Sequence, residues 1–89
     1  MKQSQFEAAL RADGFDPPIL RERAAGEHTP EHLHDYEVRG LVLAGEFRIA
    51  IDGAERAYRS GEMFIVAPDI RHAETVGPEG ATYVFGKRR

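Results

Sequence analysis

The sequence predicts an all-β fold, an antiparallel sandwich or barrel of about seven or eight short strands with one short helix at the N-terminus. Turns that contain glycine or proline recur after Pro18 and separate short β-prone runs. A helical apolar pattern occurs only before Asp13. A chain of 89 residues has room for one domain. In that domain, residues 1–18 are expected to form the helix and a lead-in, and residues 19–89 the barrel.

The predicted helix covers Ser4–Ala12, and Ser4 can act as its N-cap. Three apolar residues form a stripe at positions i, i+3 and i+4: Phe6, Ala9 and Leu10. Asp13-Gly14 ends the helix, and Pro17-Pro18 prevents it from starting again. No other segment of the chain is expected to be helical.

The first half of the barrel is predicted from two β-prone runs with a loop between them. Ile19–Ala24 is the first predicted strand, and Gly26–Pro30 is the loop. The next run, His32–Ile51, is unusually long and is interrupted by Gly40 and Gly45. Glycines inside strands often mark bulges or barrel corners, so we expect the chain to bend there.

The second half is predicted as a series of hairpins. Asp52-Gly53 is a strong hairpin signal, and the turn Ser60-Gly61 follows it. Ala67–Arg71 is then a loop that contains proline, and Gly77–Gly80 is a turn. The strands between these connections are Arg56–Arg59, Met63–Val66, His72–Val76 and Ala81–Phe85.

Composition excludes several classes of function. The chain has no cysteine, so disulfides and thiolate metal sites are impossible. Its formal net charge of −3 argues against a nucleic-acid partner, and the basic cluster Lys87-Arg88-Arg89 is expected to be a solvated tail. No apolar run has the length of a membrane span or the form of a signal peptide. We therefore expect a soluble cytoplasmic protein with no nucleic-acid or membrane partner.

The histidines are the most informative residues. His32 and His34 are two apart in an extended segment, so both side chains project from the same face. His72 opens a later strand and can reach the same interior point of a closed barrel. Three neutral imidazoles that converge on one point form a good site for a divalent transition metal. His28, in the preceding loop, is not expected to be a ligand.

The spacing of these residues resembles the two sequence motifs of the cupin family. The matching positions are Gly26, His32, His34 and Gly45 in the first motif and Gly61 and His72 in the second. The resemblance implies a jelly-roll barrel of roughly six to eight antiparallel strands that holds one metal ion inside. The ligand types do not select the metal, since Fe, Mn, Ni, Zn and Cu all bind imidazole.

The first motif departs from the family at its carboxylate. The family usually places a glutamate on the same strand face as the two histidines, and here that position is Val38. A bulge near Asp35-Tyr36 would turn the neighbouring Glu37 inward. Alternatively, the three histidines and water hold the metal. In a third arrangement, Glu74, which shares a strand face with His72, supplies the fourth ligand or a catalytic base.

The second motif departs from the family at three positions. Ala67, Asp69 and Val76 stand where the family has proline, glycine and asparagine. Pro68 still stiffens the turn before His72. Aspartate tolerates positive φ better than most residues, so Asp69 is a mild change.

The residues near the metal are expected to be mostly apolar, which suits a small organic ligand. Those expected to line the barrel interior are Val38, Val42, Phe64 and Val66. Leu41 and Leu43 fall on the opposite face of the same strand. Outward leucines imply a covered sheet, so we expect a homodimer in which a second subunit covers them.

Two functions are consistent with these features. The first is a metal-dependent enzyme, oxygenase-like or an isomerase or lyase, that acts on a small organic molecule with Glu37 or Glu74 as the catalytic carboxylate. The second is a module that binds or senses a small ligand without turnover, with a structural or assisting metal. A metal-free structural protein would require that all three histidines are incidental.

Overall fold

Two long strands, paired with each other, organise the fold. The computed structural model describes residues 1–89. Its elements are α1 (Gln3–Ala12), β1 (Ile19–Arg23), β2 (His28–His32), β3 (Glu37–Ile51), β4 (Ala54–Arg59), β5 (Met63–Val66) and β6 (His72–Arg88). The all-β fold class with one N-terminal helix is confirmed. There are fewer strands than expected because β3 and β6 continue past the predicted breaks. The single helix, α1, has 10 residues, too few to span a membrane.

The remaining strands pair with the two ends of the long pair. β3 and β6 are antiparallel, in register from Glu37 opposite Arg88 to Ala50 opposite Ala73. Toward one end, β1 pairs with β6 and β5 pairs with β3. Toward the other end, β2 pairs with β6 and β4 pairs with β3. The protein therefore has two four-stranded halves that share β3 and β6, in the orders β1-β6-β3-β5 and β2-β6-β3-β4.

The long strands bend together near their centres. Between Gly45 and Phe47 their pairing shifts, so that Glu46 of β3 lies opposite four residues of β6, Gly77–Gly80. The sequence predicts a turn at these four residues, and that prediction is wrong. They form an irregular stretch within β6 because β3 bends with them and pairs with β6 on both sides.

Gly45 is required at this bend. Its φ of 74° lies in the left-handed region, which costs little only for glycine. A Cβ atom at this position would also collide with the backbone carbonyl of Gly80. The two strands can approach this closely only because neither has a side chain at the contact.

The main core fills the space between the two halves. Its buried residues are Val42, Phe47, Ile49, Tyr58, Phe64, Val66, Val76, Ala81, Tyr83 and Phe85. The ring of Phe64 packs against those of Phe47 and Tyr83, at centroid distances of 5.2 and 5.6 Å. Gly40 of β3 lies opposite Phe64 of β5, and its missing side chain leaves the space that the Phe64 ring occupies. Aromatic packing thus joins the two halves of the barrel.

A second, smaller cluster lies on the outer face under helix α1. It contains Phe6, Leu10, Phe15, Leu41 and Val84, with Leu43 and Met63 partly buried against it. Leu41 is fully buried, with a relative exposure of 0%. The helix therefore covers the leucines for which the sequence implied a second subunit. The homodimer stays a prediction, without this argument in its favour.

The basic C-terminal residues are part of the fold and not a solvated tail, which corrects the sequence prediction. Lys87 and Arg88 belong to β6. Arg88 donates hydrogen bonds to the carboxylate of Glu37 at 2.8 Å and to the carbonyl oxygen of Asp13 at 2.7 Å. Its guanidinium also stacks on the ring of Phe15. These contacts attach the segment after α1 to the sheet.

Replacing Gly45 should test the bend. Gly45→Ala should lower the free energy of unfolding by about 3 kcal/mol or more, because alanine adds backbone strain and a collision with a carbonyl group. Gly53→Ala is a matched control, since Gly53 has a φ of 78° and open space around the new methyl group. It should cost about 1 kcal/mol. Equal losses in urea unfolding would show that the close approach at the bend is unimportant.

Candidate metal centre

The structure brings three of the four histidines together. His32 ends β2, His34 follows it, and His72 begins β6. One ring nitrogen from each of the three lies within 4.8 Å of the other two. The ring of His72 is 4.3 Å from that of His32 and 4.9 Å from that of His34, between centroids. We call these three residues the histidine cluster.

A bulge in β2 turns His32 toward the interior. Thr29 pairs with Glu74 and His32 pairs with His72, and the register shifts between these two pairs. In a regular strand, Thr29 and His32 would point to opposite faces, and the extra residue lets both face inward. The segment from His28 to Pro30, predicted as a loop, is thus the start of a strand. Pro30 is tolerated because β2 lies at the edge of the sheet.

His28 lies outside the cluster, as the sequence predicts. It is opposite Thr75, and its Nδ1 lies 3.0 Å from the threonine hydroxyl oxygen. Thr29 and Glu74, the next pair, line the cavity. Because strand side chains alternate, His28 and Thr75 face away from it.

Hydrogen bonds fix the tautomers of two rings in the cluster. Nδ1 of His32 lies 2.8 Å from the carbonyl oxygen of Pro30, and Nδ1 of His72 lies 2.9 Å from that of Ile70. A carbonyl oxygen can only accept a hydrogen bond, so each Nδ1 carries the proton in the neutral ring. Each Nε2 then has a free lone pair, which is the form that a metal ion binds.

His34 is held by different contacts. The backbone N–H of Asp69 donates a hydrogen bond of 2.7 Å to the carbonyl oxygen of His34. Asp69 adopts a φ of 61°, which aspartate tolerates where the family has glycine. The ring of Tyr36 stacks on His34 at 4.5 Å with an interplanar angle of 11°. The hydrogen bond between Asp69 and His34 links the loop before β6 to the segment after β2.

The His34 ring contains a polar atom without a partner. Its Nδ1 is buried and has no hydrogen bond. A buried polar atom left unpaired costs about 1–3 kcal/mol, and an ion or ligand bound by this Nδ1 would remove that cost. Burial, with the nearby rings of His72 and His32, lowers the pKa of His34. The ring is therefore kept neutral, as metal coordination requires.

Glu74 supplies a carboxylate beside the cluster. Its Oε2 is 3.5 Å from Nε2 of His72 and 3.8 Å from Nε2 of His32. These distances are too long for hydrogen bonds and are close to the roughly 3–3.6 Å that separates two ligands of one ion. Its Oε1 is 3.3 Å from a guanidinium nitrogen of Arg23. One oxygen is thus held by the arginine while the other faces the histidines.

Glu37 is not at the site, and this corrects its predicted role. No bulge turns it inward. Its carboxylate accepts hydrogen bonds from Arg88 and Arg39 on the outer face. Burial disfavours its ionised form, but these two hydrogen bonds outweigh burial and lower the pKa of Glu37. Val38, the next residue, faces the cavity at the position where the family usually has a carboxylate.

The cluster opens into a cavity of about 520 Å³ between the two halves. Eight lining residues are apolar or aromatic: Tyr36, Val38, Phe47, Ile49, Phe64, Val66, Tyr83 and Phe85. Val38, Phe64 and Val66 line it as predicted, whereas Val42 is buried in the core behind it. The volume and lining suit a small organic molecule.

Four polar lining residues were not predicted from the sequence. These are Arg21, Arg23, Thr29 and Lys87. Arg21 and Arg23 are two apart on β1, so strand alternation places them on one face, but only the pairing of β1 with β6 shows that this face is inside. Lys87 was assigned to a tail because the end of β6 could not be located from the sequence.

The family model of the cupin domain matches residues 20–84. The chain belongs to the cupin family. The two motifs recognised in the sequence are therefore those of a cupin, and the histidine cluster lies where they meet. No curated protein matches the sequence of this cupin.

Solved structures share the fold of this cupin. An RmlC-like cupin from Shewanella frigidimarina NCIMB 400 has a TM-score of 0.70 and 22% identity, over 80% of this chain and 63% of that one. KdgF from Halomonas sp. has a TM-score of 0.66 and 21% identity, over 81% and 68%. The DMSP lyase DddQ from Ruegeria pomeroyi DSS-3 has a TM-score of 0.72 and 22% identity, over 81% and 37%. This cupin thus spans about two thirds or less of each chain, and at such identities the likeness concerns the fold alone.

The lowered pKa of His34 should make the metal-free cupin less stable in acid. Folded His34 titrates below its ordinary value of about 6.5, so the unfolded chain takes up the proton first as the pH falls. The free energy of unfolding in EDTA should be retained above about pH 6.5 and decrease below it. Urea unfolding between about pH 7.5 and pH 5 measures this. His34→Gln should flatten the pH dependence and His28→Gln should not; an unchanged profile in His34→Gln would contradict the assignment.

Proposed function

We propose that this cupin binds one divalent transition metal on His32, His34 and His72 and acts as a metal-dependent enzyme on a small organic molecule. The observation that carries the proposal is the orientation of the rings. His32 and His72 each donate Nδ1–H to a backbone carbonyl and so leave Nε2 unprotonated. Surface histidines without a ligand role would not be expected to converge on one interior point with unprotonated nitrogens.

The donor set fits a first-row transition metal. Three imidazoles with a nearby carboxylate suit Fe, Mn, Ni, Zn or Cu, and the absence of cysteine excludes a thiolate site. When bound, such an ion supplies Lewis-acid chemistry or, with iron, oxidative chemistry at an open coordination position. The apolar wall around it, including Val38, Phe64 and Val66, excludes water from one side.

We assign Glu74 the role of the catalytic carboxylate. Arg23 holds its Oε1, and its Oε2 faces the cavity next to the histidines. A substrate bound in the cavity would therefore find a fixed proton acceptor beside it. Removal or relocation of a proton is a step shared by lyase and isomerase reactions. A lyase is known on this fold, DddQ, so the architecture accommodates such chemistry.

The alternative is a cupin that binds or senses a small ligand without turnover. The observation in its favour is Val38, which replaces the usual carboxylate and leaves the ion with fewer anionic ligands. Under this alternative the metal is structural or assists ligand binding. Metal removal would then lower the melting temperature, and no consumption of candidate substrates would be detected.

Removal of one ligand should abolish metal binding. His72→Ala should reduce the metal content from about one ion per chain to less than about a tenth, because two imidazoles hold a divalent ion weakly. Elemental analysis of the purified protein measures the content and also identifies the metal. His28→Ala is the matched control, since His28 lies outside the cluster, and it should retain the metal. Full occupancy in His72→Ala would exclude the proposed site.

Replacing Glu74 should separate a catalytic role from a ligand role. Glu74→Gln should keep the metal and lower turnover by about 100-fold or more, because the amide cannot accept the proton. Glu37→Gln, on the outer face, should change neither quantity. Metal content is measured by elemental analysis, and turnover by NMR on mixtures of small organic acids. Loss of the metal in Glu74→Gln would make Glu74 a ligand, and unchanged turnover would exclude its catalytic role.

A further inference from the structure

Two cationic side chains in the cavity wall have no anionic partner. The wall contains three cations, Arg21, Arg23 and Lys87, and one carboxylate, Glu74. Arg23 is compensated, since it contacts both Glu74 and Glu27. By contrast, neither Arg21 nor Lys87 has a carboxylate oxygen within 4.0 Å. The cavity of this acidic protein is therefore locally cationic.

Aromatic rings hold both cations at the cavity. The guanidinium of Arg21 lies over the ring of Phe85 at 4.9 Å, and the ammonium of Lys87 lies over the ring of Tyr36 at 5.3 Å. Phe85 and Lys87 are two apart on β6, so they share the inner face. Neither side chain donates a hydrogen bond to another protein group, so their N–H groups are available to donate to a ligand.

Lys87 is also close to the histidine cluster. Tyr36 lies between them, stacked on His34 at 4.5 Å and under Lys87 on β6. A ligand that contacts Lys87 therefore lies beside the proposed metal. Beyond it, Val38, Phe64 and Val66 provide an apolar surface. The cavity thus combines a cationic part, an apolar part and a metal centre.

We propose that the ligand of this cavity is a small organic acid, with its carboxylate bound by Arg21 and Lys87 and its apolar part on the Val38–Phe64–Val66 surface. The planar fork of arginine matches a carboxylate, and lysine adds a second charged donor. A cavity with one sign of charge and apolar walls also attracts such ions electrostatically. The proposal rests on the proposed function in taking this cavity as the binding site and names the class of its ligand.

The test compares ligands that differ only in the head group. Binding of hexanoate, hexanol and hexylamine is measured by NMR titration of the 89-residue protein, both as purified and after treatment with EDTA. Hexanoate should bind about tenfold more tightly than hexanol, and hexylamine more weakly still, in both forms. Equal binding of hexanoate and hexanol to the EDTA-treated protein would overturn the proposal. Binding of inorganic phosphate tighter than that of hexanoate would replace the carboxylate by a phosphate group.

Matched variants locate the carboxylate. Arg21→Gln and Lys87→Gln should each weaken hexanoate binding by about three- to tenfold and leave hexanol binding unchanged. Arg56→Gln is the control, since Arg56 also stacks on a ring, that of Tyr58 at 4.8 Å, but lies outside the cavity. Arg21→Lys should retain part of the affinity. Equal effects of Arg21→Gln and Arg56→Gln would exclude the site.

Failure of this inference and failure of the proposed function give different results. Metal content is measured on the same samples, and the EDTA-treated protein reports the cations without the metal. If wild-type protein binds no metal but discriminates hexanoate from hexanol, the metal enzyme is excluded and the carboxylate site stands. If it binds one metal ion per chain and does not discriminate hexanoate from hexanol, the carboxylate site is excluded and the metal-dependent function stands. Thermal melting of each variant shows that it is folded.

Discussion

The shared bend of β3 and β6 is the constraint on which the rest of the structure depends. These strands pair with each other on both sides of the bend, so the two four-stranded halves must face each other across the core. Gly45 permits this because its missing side chain lets β3 approach the carbonyl of Gly80. The facing halves then place Phe47 against Phe64 and leave a cavity above them. The histidine cluster lies in that cavity because β2 and the start of β6 belong to the same half.

Much of the site could be predicted from the sequence, because it follows from local rules. Strand alternation and the family spacing were enough to select His32, His34 and His72, and the spacing of His72 and Glu74 indicated a shared face. The remaining features depend on contacts between distant segments. Helix α1 covers Leu41, but the sequence predicts α1 only as a separate helix and does not indicate where it packs. Likewise, the inward position of Lys87 depends on the register of β6.

The carboxylate that lies beside the histidine cluster belongs to β6 and not to β3. Val38 occupies the usual position on β3, and Glu74 reaches the cluster from β6. Arg23 makes this arrangement rigid, since its guanidinium also donates to the hydroxyls of Thr29 and Tyr83 at 3.0 and 3.1 Å. It therefore ties β1 to β2 and β6 at the position of the carboxylate. Burial disfavours its charge, but its hydrogen bonds to Glu27, Tyr83 and Glu74 outweigh burial and raise the pKa of Arg23.

The hydrogen bonds that His32 and His72 make to carbonyls two residues earlier have an entropic consequence. Each ring is oriented by its own backbone, so its rotational freedom is lost when the chain folds and not when a ligand arrives. Binding then restricts fewer torsions, and more of the interaction energy is available as affinity. His34 differs, because a stacked tyrosine and a backbone bond hold it without fixing its tautomer. The site thus combines two rings of fixed orientation with a third, that of His34, in which either nitrogen can carry the proton.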